Sequence, residues 1–514
     1  MEMIPSPKML QPMADPDQVH LITAPAVQDS ELTDCDHLAT VINTVGTMSE
    51  GELIEARLQI AEEVIESINP SGRYQMRIFW LSIPLMLATA YLVYLMSYVS
   101  PEPFAECEST TQPGVFETCT EQEACDLRGS SRQSKIYFDI DCWPKEFNIV
   151  CEQKYKRSIG LMITLFLNTF LSSLGLYLCD LLGRQFGWYM SLGLVIVGSC
   201  ISFFVPDYIG KMIGMGISLA ANITYAILLT VMINENTTAK TKLRSVTVAF
   251  FFLGYGFGCI FINLFAYIST EPWFLIGVTL VIFLIFGIPC LFLFKETPAF
   301  KINILDVQGY IKIIDEIASI NRKDPRLDAK YSKRIDCLNL IIERMKEISK
   351  EKKSKSIVER YAVLTLLCTK QYLPQFVVLS LIGGYLYSVF LGMSSNIQEL
   401  GIRDIRINGV IFGVTQAIGN LVDIPYPNKM KRRLWNFIFQ SFMMTGAIIL
   451  LVLGFVYQTK TFGVLITQSI VSSVFCGAGL SALFPMFFLY VSELHPPELR
   501  GTANSLVLFT SNLI

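Results

Sequence analysis

The residues best placed to do chemistry in this chain are charged side chains in short turns. Asp180-x-x-Gly183-Arg184-Gln185 follows one long apolar run, and Asp423, with Lys429 and Lys431-Arg432-Arg433 behind it, follows another. Glu235 stands nine positions before Arg244, and Glu493-x-x-Pro496-x-x-x-Arg500-Gly501 repeats the acid-then-arginine order further on. A carboxylate at a helix end can pair with an arginine or cap a neighbouring helix, and such contacts can be made and broken as packed bodies move. The chemistry on offer is a reversible latch, with Asp180, Gly183, Arg184, Glu235, Arg244, Asp423, Glu493 and Arg500 as its gating residues. The chain has no nucleophile elbow, phosphate-binding glycine loop or metal-ligand cluster, and its only histidines are His20, His37 and His495. An enzyme, a cofactor and a metal are therefore not expected.

Apolar runs must position these turns. With 514 residues, 52% hydrophobic and 17% charged, and a mean hydropathy of +0.46, the composition is that of a polytopic membrane protein. Runs long enough to cross a hydrocarbon core of roughly 30 Å fall at 78–99, 158–179, 188–205, 208–232, 245–268, 272–294, 374–393, 407–424, 434–456 and 462–490, and an eleventh begins near Thr502. The expected fold is all-α, two six-helix bundles with the second truncated: about ten full spans and part of an eleventh.

Lys240, Lys242 and Arg244 after the fourth run, and Lys429 to Arg433 after the eighth, set the orientation through the positive-inside rule. Residues 1–77 become a cytoplasmic N-terminal tail without a signal peptide, 78–294 an N-terminal bundle and 295–371 a cytoplasmic linker. Residues 100–157 form an extracytoplasmic loop, and 372–514 the C-terminal bundle. The protein is multi-pass, in a plasma membrane or endomembrane, with the lipid bilayer and a small organic solute as partners. A coupling ion is a further candidate partner and nucleic acid is not. In the tail, Leu53, Leu58, Ile60, Val64 and Ile65 lie at helical spacing against a glutamate-rich face, which predicts a solvated or loosely docked helix. In the linker, Val307, Ile311, Ile314, Ile317 and Ile320 form a stripe that predicts an amphipathic helix under the bundle.

The outer loop holds Cys107, Cys119, Cys125, Cys142 and Cys151. Five cysteines permit two bridges with one thiol left over, in about fifteen arrangements. An extracytoplasmic setting favours disulfides, with a zinc site as the alternative. Asn236-Thr237-Thr238 has the glycosylation pattern but falls on the cytoplasmic side.

Corresponding motifs in two halves mark a transporter repeat. Phe147-Asn148-Ile149-Val150-Cys151, Asp180 to Gln185, Lys295-Glu296-Thr297-Pro298-Ala299-Phe300, Ile313 to Asn321, and Glu493 to Arg500 together make the chain resemble a major facilitator superfamily transporter of the organic cation/anion branch. Leu181 stands where that branch has arginine in its turn, and Asn148 where it has aspartate. The resemblance implies alternating access around a midplane site and a solute of organic ion or zwitterion type. A hexose or polyol porter of the same superfamily is the alternative, since Glu296-Thr297-Pro298 and Glu493 to Arg500 resemble motifs shared with that branch. A non-transporting, transporter-like receptor is a third reading.

Within the spans, Tyr385, Asn222, Gln416, Asn512 and Asn168 are the substrate-binding candidates, among a polar set that also includes Tyr225, Tyr387 and Asn420. Helix–helix hydrogen bonding is the competing explanation for each of them. In the resembled branch, a position twelve residues after the closing arginine carries aspartate in cation carriers and arginine in anion carriers; here it is Asn512. A neutral amide there does not complement a buried charge. Asn512→Asp is therefore expected to shift preference toward cations in paired uptake assays. An unchanged charge preference would remove the role given to that position.

Overall fold

A computed structural model of the chain describes residues 45, 50–69, 71–109, 114–127, 133–237, 243–323, 331–352, 372–395, 397, 404–423, 432–456, 462–495 and 500–513. The tail contributes α1 (Glu50–Ser67), and the first long apolar helix is α2 (Arg73–Val99). A cap follows, made of β1 (Phe104–Glu108), β2 (Phe116–Thr118), α3 (Glu121–Asp126), β3 (Ser134–Tyr137) and α4 (Trp143–Glu146). Four long helices come next without interruption by other elements: α5 (Lys154–Leu182), α6 (Arg184–Phe204), α7 (Tyr208–Asn236) and α8 (Leu243–Phe265). After α9 (Pro272–Leu293) come the linker helices α10 (Pro298–Asn303), α11 (Val307–Asn321) and α12 (Tyr331–Lys352). The chain then continues through α13 (Tyr372–Ser395), α14 (Ile405–Asp423), α15 (Arg432–Val456), α16 (Phe462–Val471), α17 (Gly479–Leu494) and α18 (Arg500–Leu513). A π-helical segment, Ser472–Ala478, joins α16 to α17.

Among the described residues, nine helices are long and apolar enough to cross a membrane. The expected run at 245–268 corresponds to α8, which offers a shorter apolar stretch at Phe250–Ala266, and α18 is 14 residues long. Several helix starts follow directly from side-chain capping. Asp207 accepts from the Gly210 amide at 3.1 Å ahead of α7, and Asp306 accepts from the Gly309 amide at 2.9 Å ahead of α11. Thr297, followed by Pro298, caps α10. In the packed array α7 lies against α5 and α6, α2 against α8, α8 against α14, and α18 against both α5 and α13. Close approach of α8 and α14 depends on Gly256, where a Cβ would sit 2.7 Å from the Ala417 nitrogen.

The cap departs from an all-α description. Its three strands form an antiparallel sheet in the order β2-β1-β3, with Cys107 opposite Glu117 on one side and Ser134 on the other. Cys107 bonds to Cys119 across the β1–β2 pair, and Cys125 in α3 bonds to Cys151 at the foot of α5. The cap is thus tied both within itself and to a long helix. Four cysteines consumed in bridges dispose of the zinc alternative. Cys142 is the thiol left over, and burial pushes it up to about 12.

The tail and linker helices also differ from expectation. Rather than lying loosely, α1 packs Leu53, Ile60, Val64 and Ile65 into the same core as Ile302, Ile314, Ile317, Leu338 and Ile341 of the linker. The buried face of α11 is Val307, Tyr310, Ile313, Ile314, Ile317, Ala318 and Asn321, whereas Ile311 and Ile320 are only half-buried. The stripe is rotated toward Tyr310 and Asn321 because those side chains bond to α1 and to the start of α2.

The Cys125–Cys151 bridge closes a separation of 26 residues, for which chain-entropy reasoning gives about 3.5 kcal/mol. Cys125→Ser with Cys151→Ser is expected to lower the thermal midpoint of purified protein, whereas Cys142→Ser leaves it within about 2 °C. Differential scanning fluorimetry compares the two.

Candidate functional site

At the linker end, the Asp/Gly/Arg turn assembles around one cation. Gly183 adopts φ +107°, a conformation that side chains rarely tolerate, and a Cβ there would strike the Glu296 carboxylate. The turn swings Arg184 inward, where it is almost fully buried. Its guanidinium forks onto Glu235, with Nη2 to Oε1 at 2.9 Å and Nε to Oε2 at 3.3 Å. Nη1 lies 3.2 Å from Asp180 Oδ1 and donates to the Cys179 carbonyl at 3.3 Å. The Phe300 ring lies 5.2 Å away beneath the guanidinium.

Neighbouring groups complete the cluster. Thr297 donates its hydroxyl to Glu235 Oε2 at 2.5 Å. Glu296 accepts the Arg184 amide at 3.0 Å and the Gln185 amide at 3.2 Å, capping the start of α6 from the α9–α10 junction. Asp180 looks the other way as well: its Oδ2 accepts the hydroxyl of Thr502 in α18 at 3.1 Å. One turn along, Ser505 donates to the Ser173 carbonyl at 2.7 Å. These two bonds join a helix before the linker to one after it.

Of the gating residues read from the sequence, Asp180, Gly183, Arg184 and Glu235 are thus brought together. Glu235 takes Arg184 as its partner. The side chains of Arg244, Asp423, Glu493 and Arg500, together with Lys429, lie outside the described residues. Glu296, Thr297 and Thr502 belong to the cluster but were not read as gating residues; the signal for the first two was the cap pattern Glu-Thr-Pro ahead of α10.

A second polar set lies along the helices. Tyr94 of α2 donates to Gln416 Oε1 of α14 at 2.9 Å. Around that bond stand the rings of Tyr255, Phe412 and Phe390, at 5.8, 6.1 and 6.3 Å from Tyr94. Asn420, one turn on, donates to the Phe252 carbonyl of α8 at 3.0 Å. Asn222 of α7 donates to the Thr89 carbonyl of α2 at 2.9 Å. The buried Oδ1 atoms of Asn222, Asn420 and Asn168 and the Tyr225 hydroxyl make no hydrogen bond among the described residues. Tyr225 stacks on Trp188 with ring centres 4.2 Å apart, and Tyr387 is buried against Phe484 at 5.3 Å. Tyr385 stands apart from these groups, being 40% exposed. The side chain of Asn512 lies outside the described residues.

A family model described as Major Facilitator Superfamily matches residues 155–514. The chain belongs to the major facilitator superfamily. As a member, it is a membrane transporter of small solutes that works by alternating access, not an enzyme.

Solved structures agree on the fold. A double-tryptophan mutant of XylE superposes with a TM-score of 0.59 at 15% identity, covering 86% of this chain and 86% of that one. The xylose transporter XylE from E. coli, in a partially occluded inward-open conformation, superposes with a TM-score of 0.55 at 14% identity, covering 86% of this chain and 90% of that one. The proton:xylose symporter XylE bound to 6-bromo-6-deoxy-D-glucose gives 0.52 at 15% identity, with 86% of each chain covered. Identities this low bear on the fold alone. Among curated proteins, no relative matches the sequence. Membership at this level is broader than the organic cation/anion branch that the motifs resemble.

Removing Arg184 would leave Glu235 buried without its counter-charge, a change that costs about 3–5 kcal/mol. Arg184→Ala is expected to lower the melting temperature and abolish uptake, and Arg184→Lys to recover little, because an ammonium lacks the planar fork. Asp180→Asn keeps the Thr502 bond and should melt much closer to wild type. Thermal melting in detergent, read beside uptake in proteoliposomes, checks all three.

Proposed function

We propose that this transporter carries a neutral polar solute of the hexose or polyol class. The observation that carries the reading is the Tyr94–Gln416 bond, a phenol and an amide joined at 2.9 Å between helices on either side of the linker and ringed by aromatic side chains. Hydroxyl-rich solutes are recognised by such groups, which donate and accept, while aromatic rings cover the apolar face of a sugar ring. Asn168, Asn222, Gln416 and Asn420 are the buried amides of the set, and the position that resembles a charge selector is Asn512. Among the described residues, these amides and rings offer an ionic solute no opposite charge, and burying an uncompensated ion is costly. Two of the fold neighbours are a xylose transporter and a proton:xylose symporter bound to 6-bromo-6-deoxy-D-glucose, solutes of the class proposed. Asn222 and Asn168, with buried acceptor atoms to spare, are the further binding candidates, and Tyr385 ranks below them.

In this reading the linker end faces the cytoplasm and the cap lies outside, where its two disulfides are chemically at home. The six helices before the linker and those after it rock about the Tyr94–Gln416 level. The Asp180–Thr502 and Ser173–Ser505 bonds hold the linker side closed and part when it opens. The organic-ion reading retains the support of the cap cysteines and the Phe147 to Cys151 motif.

Counterflow in proteoliposomes separates the two readings. Labelled glucose, xylose and sorbitol are expected to exchange, and tetraethylammonium and p-aminohippurate to stay at background. Tyr94→Phe and Gln416→Ala should each reduce exchange about tenfold or more, consistent with the loss of a buried polar contact. Exchange of an ion without exchange of any neutral solute would replace this reading with the organic-ion one.

A further inference from the structure

The tail helix and the linker meet at a single buried side chain. Asn321, the last residue of α11, accepts the Tyr74 amide at 2.9 Å through Oδ1. Its Nδ2 donates to the Ile68 carbonyl at 3.0 Å and to Gln75 Oε1 at 3.2 Å. Arg322 follows in the left-handed conformation, φ 56°, so α11 stops where this amide can reach the turn between α1 and α2. The neighbours of Asn321 extend the stitch. Tyr74 Oη accepts the Lys295 amide at 3.3 Å, beyond the end of α9, and Gln75 donates to the Asn236 carbonyl at 3.5 Å, at the end of α7. One amide therefore connects the tail turn and the linker with the linker-side ends of three long helices.

Further along, α1 is held to the linker by independent contacts. Tyr310 donates to the Ala61 carbonyl at 3.2 Å, Arg57 to the Ile302 carbonyl at 3.5 Å, and Arg334 pairs with Glu63 at 3.2 Å. Arg57 and Tyr310 are fully buried, and the Arg334–Glu63 pair is mostly so. Beneath them Leu53, Ile60, Val64, Ile302, Ile314, Leu338 and Ile341 share one core with residues of α2, α7 and α9, a core that also takes in Ile405 and Phe412 of α14. Every hydrogen bond and ion pair named here ends on the tail, the linker or a helix that precedes the linker.

We propose that α1, α10, α11 and α12 are a plate pinned by Asn321 to the helices before the linker, and that plate and helices travel as one rigid body while the helices after the linker rock against them. A packed interface with several buried polar bonds resists opening at every turnover, because its apolar side chains would be re-exposed to water and each buried bond forfeited. The tail helix is then a fixed structural member of the linker-side gate. The inference rests on alternating access and is independent of which solute is carried.

The test joins Glu63→Cys to Arg334→Cys with a short bismaleimide and measures counterflow of xylose, glucose, tetraethylammonium and p-aminohippurate. The cross-linked protein is expected to exchange its solute within twofold of the same variant left unlinked. A tenfold loss on cross-linking would mean that the tail must leave the linker during the cycle, and would overturn the proposal. A panel in which only the ions exchange counts against the neutral-solute reading and leaves this comparison intact. Hydrogen exchange supplies a readout that needs no solute. Asn321→Ala should raise exchange across residues 50–68 at least tenfold while amides of α7 stay within twofold of wild type. Unchanged protection of 50–68 would remove Asn321 as the pin.

Discussion

Arg184 places a full positive charge in a pocket from which water is largely excluded, and the linker end of the molecule is arranged around that constraint. A buried guanidinium is tolerable only when every face is answered. Glu235 takes the fork, Asp180 and the Cys179 carbonyl take the remaining nitrogen, and Phe300 covers the plane. Glu296 then answers the backbone amides that the tight turn at Gly183 leaves open. The first element of the linker, α10, is placed by the same cluster, since Thr297 both caps that helix and donates to Glu235. Among the described residues of the pocket, Asp180 is the member with a hydrogen bond to a helix beyond the linker, through the Thr502 hydroxyl.

Polar groups elsewhere in the helices obey the same rule at lower stakes. Hydroxyls of Thr164 and Thr224 return to carbonyls within their own helices or their neighbours, which costs nothing in a helix already complete. The amides are different, because each has two donors and an acceptor to satisfy. Asn222 and Asn420 bond through nitrogen and leave the oxygen over. Asn420 stands one turn from Gln416 and Asn222 is bonded to α2 at Thr89, and such surplus acceptors are what the proposed neutral solute would use.

Several features were open to reading from residues alone. Membrane spans declare themselves because a bilayer core demands long uninterrupted apolar runs, and the Asp/Gly/Arg turn declares itself because only glycine suits that backbone. Two bridges and one spare thiol follow from five cysteines. Pairing did not follow, since Cys107 finds Cys119 through a sheet whose third strand, Ser134–Tyr137, is remote in sequence. The buried face of α11 differs by one position in places from the stripe that periodicity predicts. Periodicity selects isoleucines, but the partners α1 and α2 select Tyr310 and Asn321. Glu235 shares a motif with Arg244 nine positions on, and folding brings to it Arg184 from 51 residues away.

Sequence by itself therefore determined what each segment can be: which runs are long and apolar enough for a membrane, where the Asp/Gly/Arg turn falls, and that the spans carry amides and phenols. These are properties of local composition, and they persist whatever the segments pack against. Tertiary structure decided who meets whom. The partner of Glu235, the reach of Asp180 to Thr502, the stitching of tail to linker through Asn321, and the Tyr94–Gln416 bond all join residues that no spacing rule relates. Each depends on which helix faces lie together, and that is set only when the whole array closes around its buried charges and hydrogen bonds.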